Sequence, residues 1–240
     1  AYNTLVERGS TKSGYNPLET QDGLIERTYP EGLIRFRYNH MPLAPNGVDH
    51  TLRIIPIGVD QKRKTLEELG YSEDQCELID RAFANRGGMI LFSGTTGSGK
   101  STTMANKLME VAELHPGKKI RTIEEPVEYR IVGAYQAPVK RVKGDSSDFL
   151  NVMRAALRAD PDILCVGEIR DIHTAELAIH AVRSGHLCVS SIHAESSLGI
   201  YDRLGGMGIP RADLSGLNLV AGFVYQGLVP VLCPKCKVPA

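Results

Sequence analysis

A glycine-rich stretch, Gly94-Thr95-Thr96-Gly97-Ser98-Gly99-Lys100-Ser101, constrains this chain more than any other feature of its sequence. It follows an apolar run at residues 89–93 and precedes a segment with the apolar spacing of a helix. The pattern G-x-x-x-x-G-K-[ST] between a strand and a helix wraps backbone amides around phosphate groups, and the following helix presents its positive end to them. The sequence therefore predicts a site for the phosphates of a nucleotide.

Two residues at the end of this stretch have predicted roles of their own. Lys100 is expected to contact the β- and γ-phosphates, and the Ser101 hydroxyl to ligate Mg²⁺, a small cation that keeps several water and phosphate ligands. The predicted ligand and cofactor are therefore ATP and Mg²⁺. The residues predicted to contact the nucleotide are Gly94, Thr95, Thr96, Gly97, Ser98, Gly99, Lys100, Ser101 and Thr102.

The order of elements after Gly87-Gly88 predicts the fold class. Strand and helix patterns alternate up to residue 192, which is typical of an α/β unit with a mainly parallel sheet wrapped by helices. The four predicted strands are residues 89–93, 119–124, 162–166 and 187–192. Because parallel strands end at the same edge of a sheet, we expect ligand-binding residues where these strands end.

The chain before this unit has a different pattern. Residues 32–37 alternate apolar and basic side chains, and residues 51–56 have the character of a second short strand that ends at its proline. Residues 65–86 have helical spacing, with Gly70 between two predicted helices. The sequence thus predicts part of a small N-terminal domain, a linker with helices, and an α/β domain, at residues 1–65, 66–86 and 87–240 respectively.

Acidic residues follow two of the predicted strands. Glu168 ends an apolar run, where a carboxylate can hold a Mg²⁺-bound water or polarise the attacking water. Glu124, Glu125 and Glu128 follow another strand, and three negative charges so close are costly unless a cation or a positioned water lies nearby. Hydrolysis needs a base in line with the γ-phosphate, and Glu124 is the predicted base, with Glu125 or Glu128 as alternatives.

Two histidines, His186 and His193, bracket the last predicted strand, and the residues alone leave their role open between structure and function. The motifs taken in chain order, however, resemble the four named boxes of the secretion ATPase superfamily, which powers type II secretion and type IV pili. The resemblance covers roughly residues 20–236. Its motifs are the phosphate loop, Thr122-Ile123-Glu124-Glu125-Pro126-Val127-Glu128-Tyr129, Gly167-Glu168-Ile169-Arg170-Asp171, and Ser184-Gly185-His186 with Ile192-His193.

This resemblance implies roles for further residues. Residues 124–128 correspond to the family's Asp box, and residues 168–171 close its Walker B box. His186 and His193 correspond to its His box, which implies that both histidines face the nucleotide. Arg37 and Arg53 are similar to arginines that reach the nucleotide of a neighbouring subunit, where a planar charged fork suits developing negative charge.

The resemblance also implies properties of the whole protein. The implied fold is a RecA-like P-loop core with a mainly parallel sheet, preceded by part of a small α+β N-terminal domain. The implied activity is ATP hydrolysis by a cytoplasmic motor, peripheral at the cytoplasmic face of the inner membrane. Such a motor forms a homohexamer, rotates its domains, and drives pilin assembly through an inner-membrane platform protein.

The sequence departs from the family pattern at three places, one of which is Ile172-His173-Thr174-Ala175, where the family commonly has x-Glu-Thr-Ala. Glu125 stands where the family usually has aspartate, and Gln226-Gly227-Leu228-Val229-Pro230 lacks both arginines of the family's Gln-Arg-Leu-x-Arg stretch. Cys233 and Cys236 resemble the opening of a four-cysteine zinc element found in assembly-type members. Structural zinc takes four ligands, so zinc is predicted only together with residues outside this chain, which we interpret as part of a longer polypeptide.

The composition of the chain bears on its alternative functions and on its cellular location. The 28 basic residues balance the 28 acidic ones, so the chain lacks the positive field that non-specific nucleic-acid binding uses, and no direct nucleic-acid contact is expected. A conjugation or DNA-translocating RecA-like ATPase, a pilus retraction ATPase, a small-molecule kinase and a nucleotide-binding structural subunit stay open. We find no leader and no apolar run of about 18 residues, which favours a cytoplasmic protein.

Overall fold

A computed structural model of the chain describes residues 16–30, 32–57, 62–139, 147–216 and 219–231. The predicted half zinc site at Cys233 and Cys236 lies outside these residues. Two sheets and the helices that pack on the larger one make up the described chain.

An antiparallel three-stranded sheet comes first. Its strands are β1 (Gln21–Tyr29), β2 (Gly32–Leu43) and β3 (Gly47–Ile57), and β2 lies in the middle. Both predicted strands lie within this sheet, but β3 continues past Pro56 instead of ending there. A proline is tolerated at this position because β3 is an edge strand, where a missing backbone N–H need not interrupt a ladder on both sides.

One helix, α1 (Glu73–Phe83), lies where the sequence predicts two. Ser72 caps this helix, since its hydroxyl accepts from the Gln75 N–H while the Gln75 side chain accepts from the Ser72 N–H. The first predicted helix is wrong, because residues 66–70 form only turns. Gly70 ends these turns in a left-handed conformation, with φ of 96°.

The larger sheet has six strands, all paired in parallel, in the order β6-β5-β7-β8-β4-β9. This confirms the predicted α/β class with a parallel sheet, and all four predicted strands are present. The strands are β4 (Gly88–Ser93), β5 (Ile120–Glu124), β6 (Ala134–Pro138), β7 (Ile163–Ile169), β8 (Leu187–Ile192) and β9 (Val220–Tyr225). The helices are α2 (Lys100–Leu114), α3 (Ser147–Leu157), α4 (Ile172–Arg183), α5 (Gly199–Gly206) and α6 (Arg211–Leu214).

The sequence does not predict β6 and β9, the two strands at the sheet edges. Neither strand contains a fully buried residue, whereas every residue of β4 and β8 is buried. An edge strand is therefore harder to recognise from its pattern than a central one. Gln136 of β6 and Gln226, directly after β9, nevertheless bond residues of the candidate site described below.

Apolar side chains cover both faces of the parallel sheet. Along β4, Met89 and Leu91 join a cluster with residues of α3 and α4, while Ile90 and Phe92 join a second cluster with residues of α1 and α2. This alternation follows the two-residue period of a strand that is buried on both faces. The covered faces leave the carboxyl edge of the sheet as the place where loops and polar residues gather.

Candidate nucleotide-binding site

The phosphate loop connects β4 to α2 in a conformation that depends on its glycines. Gly94, Gly97 and Gly99 have φ values of 141°, 78° and 86°, which other residues rarely adopt. Gly94 has a second requirement, because a Cβ there would lie 2.2 Å from the backbone oxygen of Gln226. The loop can therefore keep this shape only with glycine at its first position.

The Lys100 ammonium lies against its own loop. Nζ donates to the backbone oxygens of Gly94 at 2.8 Å and Thr95 at 2.9 Å. Burial lowers the pKa of Lys100, while the nearby Glu168 carboxylate acts in the opposite direction. Two carbonyl oxygens thus accept the hydrogen bonds that phosphate oxygens can accept. The Lys100 ammonium is therefore already held at the loop.

A cavity of about 570 Å³ opens beside the loop and collects most of the predicted site residues. Loop residues form one wall, and residues of the acidic turn after β5, the ends of β7 and β8, and the antiparallel sheet form the others. The predicted residues that line it are Thr96, Gly97, Ser98, Gly99, Lys100, Ser101, Thr102, Glu125, Glu128, Glu168, His193, Arg37 and Arg53. Glu124 lines a smaller neighbouring cavity together with Ser101, Glu125, Glu128 and Glu168.

Glu124, at the end of β5, is held by neighbouring donors. The Thr122 hydroxyl and the Gln136 side-chain amide both donate to Oε1, at 2.6 and 3.0 Å. Burial raises the pKa of Glu124, while these two donors and the backbone N–H of Glu128 act in the opposite direction. A carboxyl group in a cavity with a pKa raised by burial is a candidate for proton transfer.

Glu168 lies at a local irregularity of β7. The pairing of β7 with β8 shifts register between Val166 and Glu168, and such a bulge re-aims the side chain that follows it. Glu168 Oε1 lies 3.2 Å from Nε2 of His193, and Oε2 accepts from Nε of Arg170 at 2.7 Å. An Nη1 atom of Arg170 also lies 3.9 Å from Oε2 of Glu125, so Arg170 joins the two acidic groups.

Sequence reasoning missed a role for Arg170, although the residue lies within the Gly-Glu-Ile-Arg-Asp motif. The signal that could have found it is the concentration of carboxylates at this edge. Glu124, Glu125 and Glu168 all line the same small cavity, and like charges gathered in this way favour a nearby cation. Arg170 lines that cavity and supplies a positive charge.

Arg37 and Arg53 lie opposite each other in the register of β2 and β3. Two like charges directly across a strand pair destabilise a sheet unless an anion or an acidic group offsets them. Nη2 of Arg53 lies 4.0 Å from Oε1 of Glu128, and both arginines line the cavity of their own chain. Within one chain these arginines thus line the same cavity as the phosphate loop, a relation that motif spacing cannot reveal, and their contact with a neighbouring subunit stays a prediction.

Arg35, which the sequence analysis did not select, fastens the antiparallel sheet to the acidic turn. Its guanidinium donates to the backbone oxygen of Val127 at 2.8 Å and to Oε1 of Glu26 at 2.6 Å. The first contact joins residues that are 92 positions apart in the chain. No local pattern could predict it, yet it sets where Arg37 lies.

The two histidines lie at opposite ends of β8. In the parallel pairing of β8 with β4, His193 follows the pair Ser93 and Ile192 at the loop edge, whereas His186 precedes the pair Gly88 and Leu187 at the other edge. A strand of this length separates them by about 20 Å. Nδ1 of His186 lies 3.0 Å from the backbone oxygen of Ala181, so the prediction that both histidines face the nucleotide does not hold for His186 within this chain.

A family model described as Type II/IV secretion system protein matches residues 18–240. The chain belongs to this family. The match includes both sheets, the loop and the acidic turn, and it agrees with the resemblance inferred from the motifs.

Relatives in the Type II/IV secretion system family are similar over most of the chain. Type II secretion system protein E of Pseudomonas aeruginosa is 39% identical over 219 residues, which are 91% of this chain and 42% of the relative. Type IV pilus assembly ATPase PilB of the same organism is 38% identical over 221 residues, 90% of this chain and 37% of the relative. The chain therefore spans about two fifths of the length of these relatives.

A solved structure of the pilus retraction motor PilT with bound ADP resembles the chain with a TM-score of 0.60 and 31% identity. The match covers 79% of this chain and 52% of that one. The parallel-sheet P-loop architecture of secretion ATPases is thus the fold of this chain. Within the described ranges, no helix has both the length and the apolar character needed to cross a membrane.

The residues at the loop fit the Mg²⁺ that this family implies. Ser101 and Glu168 line the same cavity, and a hydroxyl and a carboxylate are oxygen ligands of the kind Mg²⁺ prefers. Among the described residues, no group of three His, Cys, Asp or Glu side chains could hold a metal ion. Two protein ligands are nevertheless sufficient for Mg²⁺, since water and phosphate oxygens complete its coordination.

Proposed function

We propose that this chain binds ATP with Mg²⁺, hydrolyses it to ADP and phosphate, and serves as the motor portion of a type II secretion or type IV pilus machine. One observation carries the proposal. The phosphate loop, the carboxylates of Glu124 and Glu168 and the guanidinium groups of Arg37 and Arg53 border one continuous region of the same chain. Family membership and the names of its relatives support the biological setting.

The loop residues bind and orient the phosphates. Lys100 exchanges the carbonyl oxygens of Gly94 and Thr95 for oxygens of the β- and γ-phosphates, which restores its hydrogen bonds with stronger, charged acceptors. Ser101 and Glu168 are the residues that would hold Mg²⁺, which when bound neutralises charge on the phosphates. The chain itself thus supplies both the positions and the counter-charges that phosphoryl transfer needs.

The carboxylate of Glu124 accepts the proton of the attacking water. Its raised pKa places it nearer to neutral pH than an ordinary glutamate, which suits a general base. Glu125 and Glu128 are the alternative bases, since both line the same cavity. His193 lies against Glu168 and borders the cavity, where it can respond to the charge of the γ-phosphate.

Arg37 and Arg53 couple hydrolysis to a movement of the antiparallel sheet against the parallel sheet. They approach the cavity from the antiparallel sheet, whereas the loop belongs to the parallel sheet. A ligand that contacts both sheets favours the arrangement in which they are close, and its hydrolysis removes part of that preference. We infer that turnover rotates the two parts against each other, and that six copies form the ring in which this rotation acts on an inner-membrane platform protein from the cytoplasmic face.

The direction of work that we propose is pilin assembly or secretion. The names of the relatives, type II secretion system protein E and type IV pilus assembly ATPase PilB, support this direction. DNA translocation is the less favoured alternative because the net charge is +0. DNA that stimulated turnover would support that alternative, and turnover unchanged by single or double strands would count against it.

The deciding experiment measures phosphate release from purified protein with Mg²⁺ and ATP, with mass in solution recorded by light scattering. We expect turnover that rises as hexamers form and that disappears in Lys100→Ala. Turnover in which Lys100→Ala matches the wild type would refute the site. Turnover by a monomer at the full rate would refute the ring and return the chain to the class of simple nucleotidases or kinases.

A further inference from the structure

Gln226 follows β9 and lies against the phosphate loop at both of its ends. Its backbone N–H donates to the Ser93 oxygen at 3.0 Å, which extends the contact between β9 and β4 to the point where the loop begins. Its side-chain amide donates to the Ser98 oxygen at 2.7 Å, near the point where the loop ends. One residue directly after a strand that the sequence did not predict thus contacts both sides of the loop.

The contacts are close enough to shape the loop. A Cβ at Gly94 would lie 2.2 Å from the backbone oxygen of Gln226, and a Cβ at Gly99 would lie 3.1 Å from its Nε2 atom. The glycines at these two positions therefore allow Gln226 to approach, in addition to allowing the left-handed φ values. The close approach therefore depends both on Gln226 and on the loop glycines at positions 94 and 99.

The hydrogen bond to Ser98 affects the direction of a backbone amide. In a planar trans peptide the C=O and the N–H point in opposite directions. A donor that holds the Ser98 carbonyl toward β9 therefore holds the Gly99 N–H away from β9. Alternating φ values at neighbouring residues turn such N–H groups into an anion-binding concavity, so the orientation of this peptide matters for phosphate binding.

Tyr71 determines which way the Gln226 amide points. Its hydroxyl donates to Oε1 of Gln226 at 2.8 Å and lies 3.2 Å from the hydroxyl of Thr103 on α2. Because Oε1 accepts from Tyr71, the Nε2 end of the amide faces Ser98. Burial raises the pKa of Tyr71, so the phenol keeps the proton that this arrangement requires.

We propose that Gln226 is a positioning residue for the phosphate loop and that Tyr71 fixes its orientation. This inference rests on the proposed nucleotide site. Tyr71 belongs to the segment between the antiparallel sheet and α1, so that segment is coupled to phosphate binding through Gln226. The pair acts on the β- and γ-phosphates through the loop.

The test measures ADP and AMP affinity by competition with a fluorescent ADP in the presence of Mg²⁺. Gln226→Met keeps the length of the side chain but removes its donor, and we expect ADP affinity to fall about tenfold because a hydrogen bond that orders the loop is lost. AMP affinity stays unchanged, since AMP lacks the β-phosphate. Tyr71→Phe weakens ADP binding by a smaller factor, and the double variant binds as Gln226→Met does.

Three results would overturn the proposal. ADP affinity unchanged in Gln226→Met would remove the positioning role, and equal losses for ADP and AMP would assign Gln226 to the base or sugar. Losses that multiply in the double variant would separate Tyr71 from Gln226. Tyr71→Phe removes only a hydroxyl, so it keeps the test valid if Gln226→Met does not fold.

Two controls separate this proposal from the proposed function. Tyr135→Phe makes the same chemical change at an exposed tyrosine of β6 and is expected to bind ADP as the wild type does. Lys100→Ala tests the site itself. If Lys100→Ala loses ADP affinity while Gln226→Met and Tyr71→Phe keep it, the site stands and the positioning role fails. If Lys100→Ala retains ADP, the proposed function fails.

Discussion

Oε1 of Glu124 accepts a hydrogen bond from the side-chain amide of Gln136 at 3.0 Å. The same amide donates to the Tyr129 oxygen at 2.7 Å and accepts from the Ile131 N–H at 2.8 Å. Gln136 lies on β6, which pairs in parallel with β5. One side chain on a neighbouring strand thus holds the proposed base and the acidic turn in a fixed relation.

Replacing Gln136 with Met should lower kcat for ATP hydrolysis about tenfold, the expected effect of losing one hydrogen bond to a charged group. KM should change by about twofold or less, because Gln136 contacts the base and the turn but no residue of the phosphate loop. Steady-state phosphate release measures both constants. A rise in KM with kcat unchanged would contradict this role and assign Gln136 to nucleotide binding.

Replacing Glu124 with Gln should lower kcat about a hundredfold or more while raising the unfolding temperature at neutral pH. Burial raises the pKa of Glu124, so the fold disfavours the ionised form. The stability that the protonated carboxyl retains is fully present below the ordinary glutamate pKa and is lost as pH rises through the raised value. The amide, which has no charge to bury, should avoid that loss.

Two pH profiles check the Glu124 prediction. Thermal unfolding should show that the advantage of Glu124→Gln over the wild type vanishes in acid, where the wild-type carboxyl is protonated. Wild-type kcat should fall as pH decreases through a value above the ordinary glutamate range, because the base must be ionised to act. An advantage that persists unchanged in acid would mean that ionisation of Glu124 is not its cause.

Replacing Arg37 or Arg53 with Ala should lower kcat about a hundredfold or more, because each guanidinium faces the phosphate loop and can stabilise developing charge. Arg27→Ala is the matched control, since Arg27 lies on β1 of the same sheet and its guanidinium bonds only the neighbouring Glu26 oxygen among the contacts described. We expect the control to keep wild-type turnover. Equal losses in all three variants would indicate a general effect on the sheet.

Replacing His193 with Ala should reduce turnover, whereas replacing His186 with Ala should leave turnover unchanged per folded molecule. His193 contacts Glu168 at the loop edge, and His186 lies at the opposite edge beside Ala181. Phosphate release together with thermal unfolding separates activity from stability. A large loss of turnover in His186→Ala with an unchanged unfolding temperature would show that His186 acts on the nucleotide, in this chain or in a neighbouring copy.

Features encoded in short segments could be predicted from the sequence alone. The loop from Gly94 to Ser101 depends on glycine conformations and a following helix, and both are local properties. The four central strands carry apolar runs because both of their faces are buried, and this placed Glu124 and Glu168 at the correct edge. Recognition of the family depended on the order of these local motifs.

Only the tertiary structure decided which distant residues meet the loop. Gln136 lies on the half-buried edge strand β6, Gln226 directly follows the half-buried edge strand β9, and Arg35 bonds an oxygen that is 92 residues away. The parallel pairing of β8 with β4 placed His193 at the loop edge and His186 at the opposite edge, although both belong to one motif. Local propensity fixes a segment's own conformation, whereas strand order and sheet packing depend on the whole chain, and they determine which side chains converge on the site.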